Sequence, residues 1–246
     1  MPILKLIKAL DGFILKQNKV LYKNMAQIVP ALITSDEDST NDFKELKLKF
    51  EKLQPFLADF DNWVQIDITD GKFVPTETVI NLEDLRYFTE KANVEFHLMI
   101  NRPEKVIGEW ARLGPKRIIV HIEAIEDMNE LLNVCREKDV ELGLALNPET
   151  PNVMIEPWIN AVDLILFLGV HPGQGGQEFI PEVLEKIKSL RQNFLNVKIE
   201  IDGGVRIDNI EELKKAGVDI FVIGSGILKS PDVGKTIKEL KLKIGN

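Results

Sequence analysis

Three side chains that can transfer protons each lie at the end of a short, β-branched apolar run. Asp67 lies in QIDITDGKFVP, His97 in EFHLMI and Asp202 in EIDGGV. Runs of this kind predict that the three residues lie at the carboxyl ends of strands, where an α/β barrel keeps its active site. Two carboxylates at one mouth could take a proton from one face of a carbon and return one to the other. The pattern therefore indicates proton transfer on a small substrate.

Glycine-rich segments follow the last three strand-like runs. They are HPGQGG at 171–176, Gly203-Gly204, and Gly224-Ser225-Gly226. Bare backbone at such places lets amide N–H groups approach an anion closely. Glycine after a strand is by itself most often a turn, but three such loops would share the usual phosphate corner of an α/β barrel. The sequence therefore predicts a sugar phosphate as the substrate class.

From Gln27 onward, strand-like runs alternate with amphipathic helical segments. The predicted strands are 27–33, 63–67, 94–99, 117–121, 141–146, 163–168, 198–201 and 220–223, and the predicted helices are 41–56, 82–91, 103–113, 128–138, 153–160, 182–194, 208–216 and 235–244. Eight such units of this total length close into a barrel more readily than they extend as an open sheet. We predict a (β/α)8 TIM barrel. No Gly-x-Gly-x-x-Gly follows the first strand, which disfavours a dinucleotide-binding fold.

Composition and charge agree with this fold and exclude other classes. The 246 residues are 44% hydrophobic, enough for one large core. A net charge of -8 disfavours nucleic acid as a partner, so an anionic substrate would need local donors. Cys135 is the only cysteine, which excludes intramolecular disulfides and favours a reducing cytoplasm. No apolar run reaches the roughly 18 residues of a membrane span.

The first 24 residues differ from the rest because they are rich in lysine and have apolar residues at roughly helical spacing. Three readings stay open: an appended helix packing on the barrel, a mis-assigned start with Met25 as the true initiator, or an anchor on a membrane surface. The predicted division is an extension at 1–24 and a single barrel domain at 25–246.

Alternation along the second strand predicts which side chains face the barrel interior. Gln65 and Asp67 share one face, whereas Val64, Ile66 and Ile68 point toward the helices. Strands two and seven stand apart in a closed ring, so we expect room for a substrate between Asp67 and Asp202. An aspartate at a strand end is often only a turn or helix cap. Its pairing with His97 and the glycine loops favours a catalytic role.

Eight strings in this order resemble the ribulose-phosphate 3-epimerase family over residues 28–228: VPALI, QIDITDGKFVP, FHLMINRP, VHIEA, LGLALNPETP, HPGQGGQEF, IDGGV and VIGSGI. The resemblance implies a ribulose-phosphate-binding (β/α)8 barrel that interconverts ribulose 5-phosphate and xylulose 5-phosphate through a metal-stabilised enediolate. It also leaves a homo-oligomer open by analogy.

The resemblance also implies roles for particular residues. Asp67 and Asp202 would be the acid/base pair, and together with His97 they would bind one divalent metal ion, with zinc, iron, manganese, cobalt and magnesium not distinguished. The cation would act as a Lewis acid toward the developing enediolate. The residues that would hold the phosphate are Gly173, Gln174, Gly175, Gly176, Gly203, Gly204, Gly224 and Ser225, and the substrate pocket would include Ala31, Met99 and Leu168.

The sequence departs from the family pattern at several pocket positions. Gln65 stands where the family has a metal-binding histidine, and its carbonyl oxygen is a weaker ligand for zinc or iron but acceptable to magnesium or manganese. Ala31 replaces a serine, Thr76 an asparagine and Leu168 a methionine. These changes alter the predicted pocket at several points together.

Two further histidines have less specific readings. His171 follows the sixth strand and is read as a solvent-facing loop residue, or alternatively as a substitute metal ligand or phosphate donor. His121 in VHIEA is read as a structural, hydrogen-bonded histidine.

Three functional hypotheses follow. The first is a metal-assisted epimerase acting on a pentulose 5-phosphate or a related sugar phosphate. The second, motivated by Gln65 and Ala31, is a phosphosugar-binding pseudoenzyme. The third, an orotidine- or hexulose-phosphate lyase, needs an Asp-x-Lys-x-x-Asp motif, and Thr69 occupies the lysine position.

Overall fold

The computed structural model describes residues 26–34, 42–173 and 176–245. Eight parallel strands pair in sequence order, and β1 also pairs with β8, which closes the barrel. The predicted TIM barrel is therefore confirmed. The segment 1–24 and two predicted phosphate-loop residues, Gln174 and Gly175, lie outside the described residues. The division at residue 25 stays a prediction.

The eight strands agree with the predicted ones to within two residues at each end. They are β1 Gln27–Leu32, β2 Trp63–Thr69, β3 Asn93–Met99, β4 Arg117–His121, β5 Glu141–Leu146, β6 Leu164–Leu168, β7 Ile199–Asp202 and β8 Ile220–Ile223. All eight are almost wholly buried because helices cover the outside and side chains fill the inside.

The α-helices of the described residues are α1 Asp42–Leu53, α2 Arg86–Thr89, α3 Ile107–Ala111, α4 Met128–Lys138, α5 Glu182–Asn193, α6 Ile210–Ala216, α7 Ser225–Leu228 and α8 Val233–Ile244. Several predicted helices are partly 3₁₀. After α1 the chain continues as a 3₁₀ helix, Gln54–Phe60, since Pro55 cannot donate an α-helical hydrogen bond.

One predicted helix was wrong. Residues 153–160 form no α-helix but two 3₁₀ turns, Asn152–Met154 and Glu156–Trp158. Pro157 lies inside the second turn and has no N–H to donate, so a continuous α-helical ladder cannot form there.

The strand register brings the predicted site residues to neighbouring positions. Asp67 on β2 is the register partner of His97 on β3, and Asp202 on β7 is the partner of Leu168 on β6. Because side chains alternate across a strand, residues two apart face the same way. Gln65 therefore points into the barrel one layer below Asp67.

A buried charge cluster fills the barrel interior below the site. Arg117 on β4 donates to Glu95 on β3 and lies 3.4 Å from the carboxylate of Glu200 on β7. It also pairs with the partly exposed Glu141 at 2.7 Å, and its guanidinium lies 4.5 Å from the ring centroid of Trp63. Burial raises the pKa values of Glu95 and Glu200, although the charge of Arg117 opposes this shift. The floor of the barrel is thus a packed layer of charged side chains that links several strands.

In the part of the chain that the structure describes, no helix is both long enough and apolar enough to span a bilayer.

Candidate active site

Asp67, His97 and Asp202 converge at the carboxyl ends of β2, β3 and β7. His97 is fully buried, and each aspartate is 7% exposed. One potential ligand atom from each residue lies within 4.8 Å of the others. His97 Nδ1 is 3.3 Å from Asp67 Oδ1 and 3.5 Å from Asp202 Oδ2. Two oxygen donors and one imidazole nitrogen form a set that suits a divalent metal ion.

Gln65 connects the two aspartates. Its side-chain nitrogen Nε2 donates to Asp67 Oδ1 and to Asp202 Oδ2, each at 2.7 Å. Its carbonyl oxygen Oε1 is buried without a hydrogen-bond partner. Rotation of the amide by a half turn would exchange these two atoms and present the oxygen to the space between the carboxylates. Gln65 therefore lies beside two of the three candidate metal ligands, Asp67 and Asp202.

One side chain bridges the two aspartates, and room for a substrate between the ends of their strands stays a prediction. Although β2 and β7 are not neighbours in the barrel, the two carboxylates lean toward each other because both accept from the same Gln65 amide.

The pKa values of Asp67 and His97 are both raised, but for different reasons. Burial raises the pKa of Asp67, and the nearby charge of Asp202 raises it further. For His97, burial opposes the charged form, but hydrogen bonds to Asp202 and Asp67 and their charges outweigh it and raise the pKa to about 10. Without a cation, the imidazolium thus balances the charge of the aspartates.

His121 is buried behind His97, in agreement with its reading as a hydrogen-bonded residue. The two rings stack at a centroid distance of 5.1 Å, and their Nε2 atoms are 3.0 Å apart. Burial lowers the pKa of His121 to about 4, so this imidazole is neutral. Its other nitrogen, Nδ1, is 3.4 Å from Glu123 Oε2.

The glycine loops line one cavity with the two aspartates. This cavity of about 1050 Å³ includes Gly173, Gly176, Gly203, Gly204, Gly224 and Ser225 in its wall. Gly204 has a φ of +69°, and a Cβ there would lie 2.6 Å from the backbone of Phe179. Only glycine fits this position, because the backbone of Phe179 packs directly against it.

The predicted pocket residues also line this cavity. Ala31, Met99 and Leu168 are buried around the aspartates and make that part of the wall apolar. Thr76 donates to the carbonyl of Gly173 at 3.2 Å, so it joins the loop after β2 to the loop after β6. The polar side chains in the same wall include Asp67, His97 and Asp202.

Four cations at the cavity wall were not foreseen from the sequence: Lys49, Lys52, Arg206 and Lys229. Lys49 and Lys52 lie on α1 and donate to the backbone carbonyls of Ile33 and Leu228. These residues supply the local positive charge that an acidic protein needs to attract an anion. For Lys49 and Lys52, the sequence signal was the high lysine content of α1.

His171 lies at the rim of the cavity and pairs with Glu149 at 2.8 Å. Its side chain is 62% exposed, and it is not part of the Asp67–His97–Asp202 cluster. The structure agrees with the solvent-facing reading.

The fold and the site define a class of protein. The chain is a (β/α)8 barrel whose mouth carries two buried carboxylates and a candidate metal centre beside glycine-rich loops. Residues 39–228 match the model of the ribulose-phosphate 3 epimerase family. The chain therefore belongs to the ribulose-phosphate 3-epimerase family.

Individual relatives agree with this assignment. The chain is 34% identical to ribulose-phosphate 3-epimerase of Escherichia coli K12 over 187 residues, which is 74% of this chain and 83% of the relative. It is 35% identical to ribulose-phosphate 3-epimerase of Synechocystis over 218 residues, covering 85% and 90% of the two chains. The relative from Schizosaccharomyces pombe is 31% identical over 220 residues, covering 88% and 92%.

Solved structures of more distant proteins share the fold alone. The tryptophan synthase α-subunit of Pyrococcus furiosus has a TM-score of 0.61 at 15% identity, with 90% of this chain and 97% of the other covered. KGPDC from Streptococcus mutans has a TM-score of 0.65 at 14% identity, with 89% and 97% covered.

Proposed function

We propose that this protein inverts the C3 centre of ribulose 5-phosphate to give xylulose 5-phosphate, with Asp67 and Asp202 as the acid/base pair. The observation that carries the proposal is the convergence of both carboxylates in the cavity that the glycine loops line. Epimerisation needs one group that removes the C3 proton and another that returns a proton to the opposite face. Two carboxyl groups, one ionised and one protonated, meet this need.

The proposed reaction removes one proton from C3 and returns one proton to its opposite face. One aspartate, ionised, takes the proton from C3, and the C3–H electron pair moves toward the neighbouring carbonyl to give an enediolate. The other aspartate, protonated, delivers its proton to the opposite face of C3. Burial and the charge of Asp202 raise the pKa of Asp67, which favours its protonated form compared with an exposed aspartate.

The phosphate would be held away from the reacting carbon. We propose that the backbone around Gly173–Gly176, Gly203–Gly204 and Gly224–Ser225 binds it, including Gln174 and Gly175. Arg206 and Lys229 at the cavity wall would add attraction for the dianion. Anchoring the phosphate fixes C3 relative to the two carboxylates, which is the main benefit of a bound non-reacting group.

The donor set fits a divalent cation held by Asp67, His97 and Asp202, with Gln65 Oε1 as a fourth, weaker ligand. Gln65 can act in this way only with its amide turned by a half turn, because its nitrogen faces both carboxylates in the structure. When bound, such a cation supplies a Lewis acid for the negative charge that develops on the substrate oxygen. Three oxygen donors and one nitrogen make manganese or magnesium as suitable as zinc, iron or cobalt.

The direct test is deuterium exchange at C3 of ribulose 5-phosphate, followed by NMR in D₂O. The chelator-treated protein would be measured alone and then with magnesium, manganese, iron, cobalt or zinc. We expect exchange and xylulose 5-phosphate formation that depend on the cation. Sugar-phosphate binding without exchange under any condition would contradict the proposal.

A second candidate is a sugar-phosphate-binding protein without epimerase activity. It is favoured by the Gln65 amide, whose nitrogen rather than its oxygen faces both aspartates and so takes the place of a cation between them. Ala31 and Leu168 are also compatible with a related sugar phosphate as the substrate. A cytoplasmic location and a homo-oligomer stay predictions from the sequence.

Gln65→His is expected to increase metal affinity by at least about tenfold and to increase turnover, because an imidazole nitrogen is a better ligand than an amide oxygen. Isothermal titration calorimetry with zinc and manganese would measure the affinity. Gln65→Leu is the control, and we expect it to weaken binding since it removes both amide atoms. Unchanged affinity in both variants would mean that residue 65 does not contact the cation.

Metal binding is expected to release protons, about one of them from His97. Because the pKa of His97 is about 10 without a cation, its Nδ1 carries a proton at neutral pH that a cation must displace. Affinity should therefore rise as the pH is raised toward 10. Calorimetry in buffers of different ionisation enthalpy would count the protons, and a binding heat independent of the buffer would contradict this expectation.

A further inference from the structure

A row of three side chains, His97, His121 and Glu123, extends away from the cavity, and its outer member Glu123 is exposed. His97 Nε2 is 3.0 Å from His121 Nε2, and His121 Nδ1 is 3.4 Å from Glu123 Oε2. Both histidines are fully buried. The ring of Phe73 packs on His121 at a centroid distance of 4.6 Å and restricts its rotation. The row therefore has a fixed order, and each contact limits which atoms can carry protons.

The contact between the two Nε2 atoms needs one donor and one acceptor. His97 Nδ1 faces both aspartates, so it can bind a cation only if its lone pair is free and its proton is on Nε2. His97 Nε2 is then the donor. His121 Nε2 must accept, which requires the proton of His121 to be on Nδ1.

Glu123 is the group that can hold the His121 proton on Nδ1. The His121 Nδ1 atom is buried and makes no hydrogen bond of normal geometry among the described residues, and Glu123 Oε2 lies 3.4 Å from it. On its other oxygen, Oε1, Glu123 accepts from the backbone N–H of Asn147 at 2.8 Å and from the hydroxyl of Thr150. Two donors thus occupy Oε1, and Oε2 is the oxygen left for His121.

We propose that Glu123 and His121 are positioning residues that hold His97 in the tautomer with Nδ1 available to the metal ion. Glu123 accepts from His121 Nδ1, His121 Nε2 accepts from His97 Nε2, and His97 Nδ1 faces the cation site. The inference rests on the proposed metal-assisted function. Neither residue touches the substrate cavity or the reacting atoms, so their effect passes through His97.

Glu123→Gln tests this order of hydrogen-bond donors and acceptors. The variant has one amide oxygen, and the two donors at Asn147 and Thr150 favour placing it at the Oε1 position. The amide NH₂ then faces His121 Nδ1, which becomes an acceptor and transfers its proton to Nε2. His97 Nε2 must then accept, so its proton moves to Nδ1 and blocks the metal-binding atom.

The experiment uses full-length protein labelled with ¹⁵N in histidine, which gives only three imidazoles because the chain has three histidines. In the wild-type protein without metal, we expect a protonated Nδ1 and an unprotonated Nε2 for His121. We also expect a ¹⁵N–¹⁵N coupling across the hydrogen bond between His97 and His121. The exposed His171 serves as an internal reference. A protonated Nε2 on His121 would overturn the proposal, and this measurement does not depend on any variant folding.

Metal affinity is the second readout. We expect Glu123→Gln to move the His121 proton to Nε2 and to weaken manganese and zinc binding by about 10- to 100-fold. The matched control is Glu149→Gln, which changes the exposed partner of His171, and it should leave both readouts unchanged. Unaltered affinity in Glu123→Gln with an inverted tautomer would also overturn the proposal. A wild-type protein that binds no cation would instead refute the proposed metal-assisted function, while the wild-type tautomer would still report the hydrogen-bond order.

Discussion

Asp67→Asn and Asp202→Asn are each expected to lower epimerisation by about 10²- to 10⁴-fold, the usual contribution of a general acid or base. Asparagine keeps the shape of aspartate and can still accept from the Gln65 amide through its oxygen. It cannot take or deliver a proton at neutral pH. The loss should therefore reflect chemistry rather than misfolding, and the thermal unfolding temperature of each variant would check this.

A two-base reaction also predicts an asymmetry between the two variants. Each variant keeps one carboxylate, which still faces the C3 proton of one of the two epimers. We expect each variant to exchange that proton with D₂O from one epimer only, without forming the other epimer. NMR on ribulose 5-phosphate and on xylulose 5-phosphate as separate substrates would measure this.

The control is Asp127→Asn. Asp127 caps α4 away from the cavity, and asparagine is an equally good N-cap. Its activity should match that of the wild-type protein. Full epimerisation by either Asp67→Asn or Asp202→Asn would rule out the two-aspartate reaction.

Arg117→Met is expected to reduce the free energy of unfolding by about 3–5 kcal/mol, the usual cost of removing one partner from a buried ion pair. Arg117 is the only cation in contact with Glu95 and Glu200 among the described ion pairs, and both glutamates are fully buried. Without Arg117 they must ionise unpaired or take up protons. Urea unfolding near pH 7 would measure the loss.

The loss of unfolding free energy in Arg117→Met is expected to grow as the pH rises. Glu95 and Glu200 have pKa values above the usual one in the folded protein, and the variant should raise them further. The unfolded chain ionises these groups near pH 4.5, so the penalty is present above that pH and shrinks as the pH falls toward it. We expect the difference from the wild-type protein to be smaller near pH 5 than near pH 7.

Two further variants complete this test. Arg86→Met removes an exposed ion pair with Glu83 and should cost less than about 1 kcal/mol. Combining Arg117→Met with Glu95→Leu and Glu200→Leu should recover much of the loss, because apolar side chains often replace a buried ion cluster without a penalty. A loss for Arg117→Met no larger than that for Arg86→Met would contradict the assigned role of the cluster.

Regular patterns in the sequence were sufficient for most of the fold. Strands Arg117–His121, Glu141–Leu146 and Ile220–Ile223 and helix Met128–Lys138 have the predicted bounds, because their apolar periodicity is uninterrupted. The prediction failed at 153–160, where a proline competes with an apolar pattern.

The clustering of Asp67, His97 and Asp202 was predictable from the sequence, but the geometry around them was less so. Strand alternation placed Gln65 on the face of Asp67, yet its contact with Asp202 depends on how far two distant strands lean together. The cluster around Arg117 left a signal that could have been used, since Glu95 and Glu200 each precede a site residue by two positions. Side-chain alternation could not predict that Arg117, Glu95 and Glu200 meet, because they lie on three strands that are far apart in sequence.

The residues that line the cavity and the residues that tie the strands together lie in different layers of the barrel interior. The strands are tied together below the mouth by Arg117 and its carboxylate partners, whereas Ala31, Met99 and Leu168 line the cavity above. Because none of these three residues takes part in the ion pairs of Arg117, we expect substitutions at the cavity wall to leave those pairs in place. A lineage with this arrangement can exchange pocket residues without first losing its scaffold.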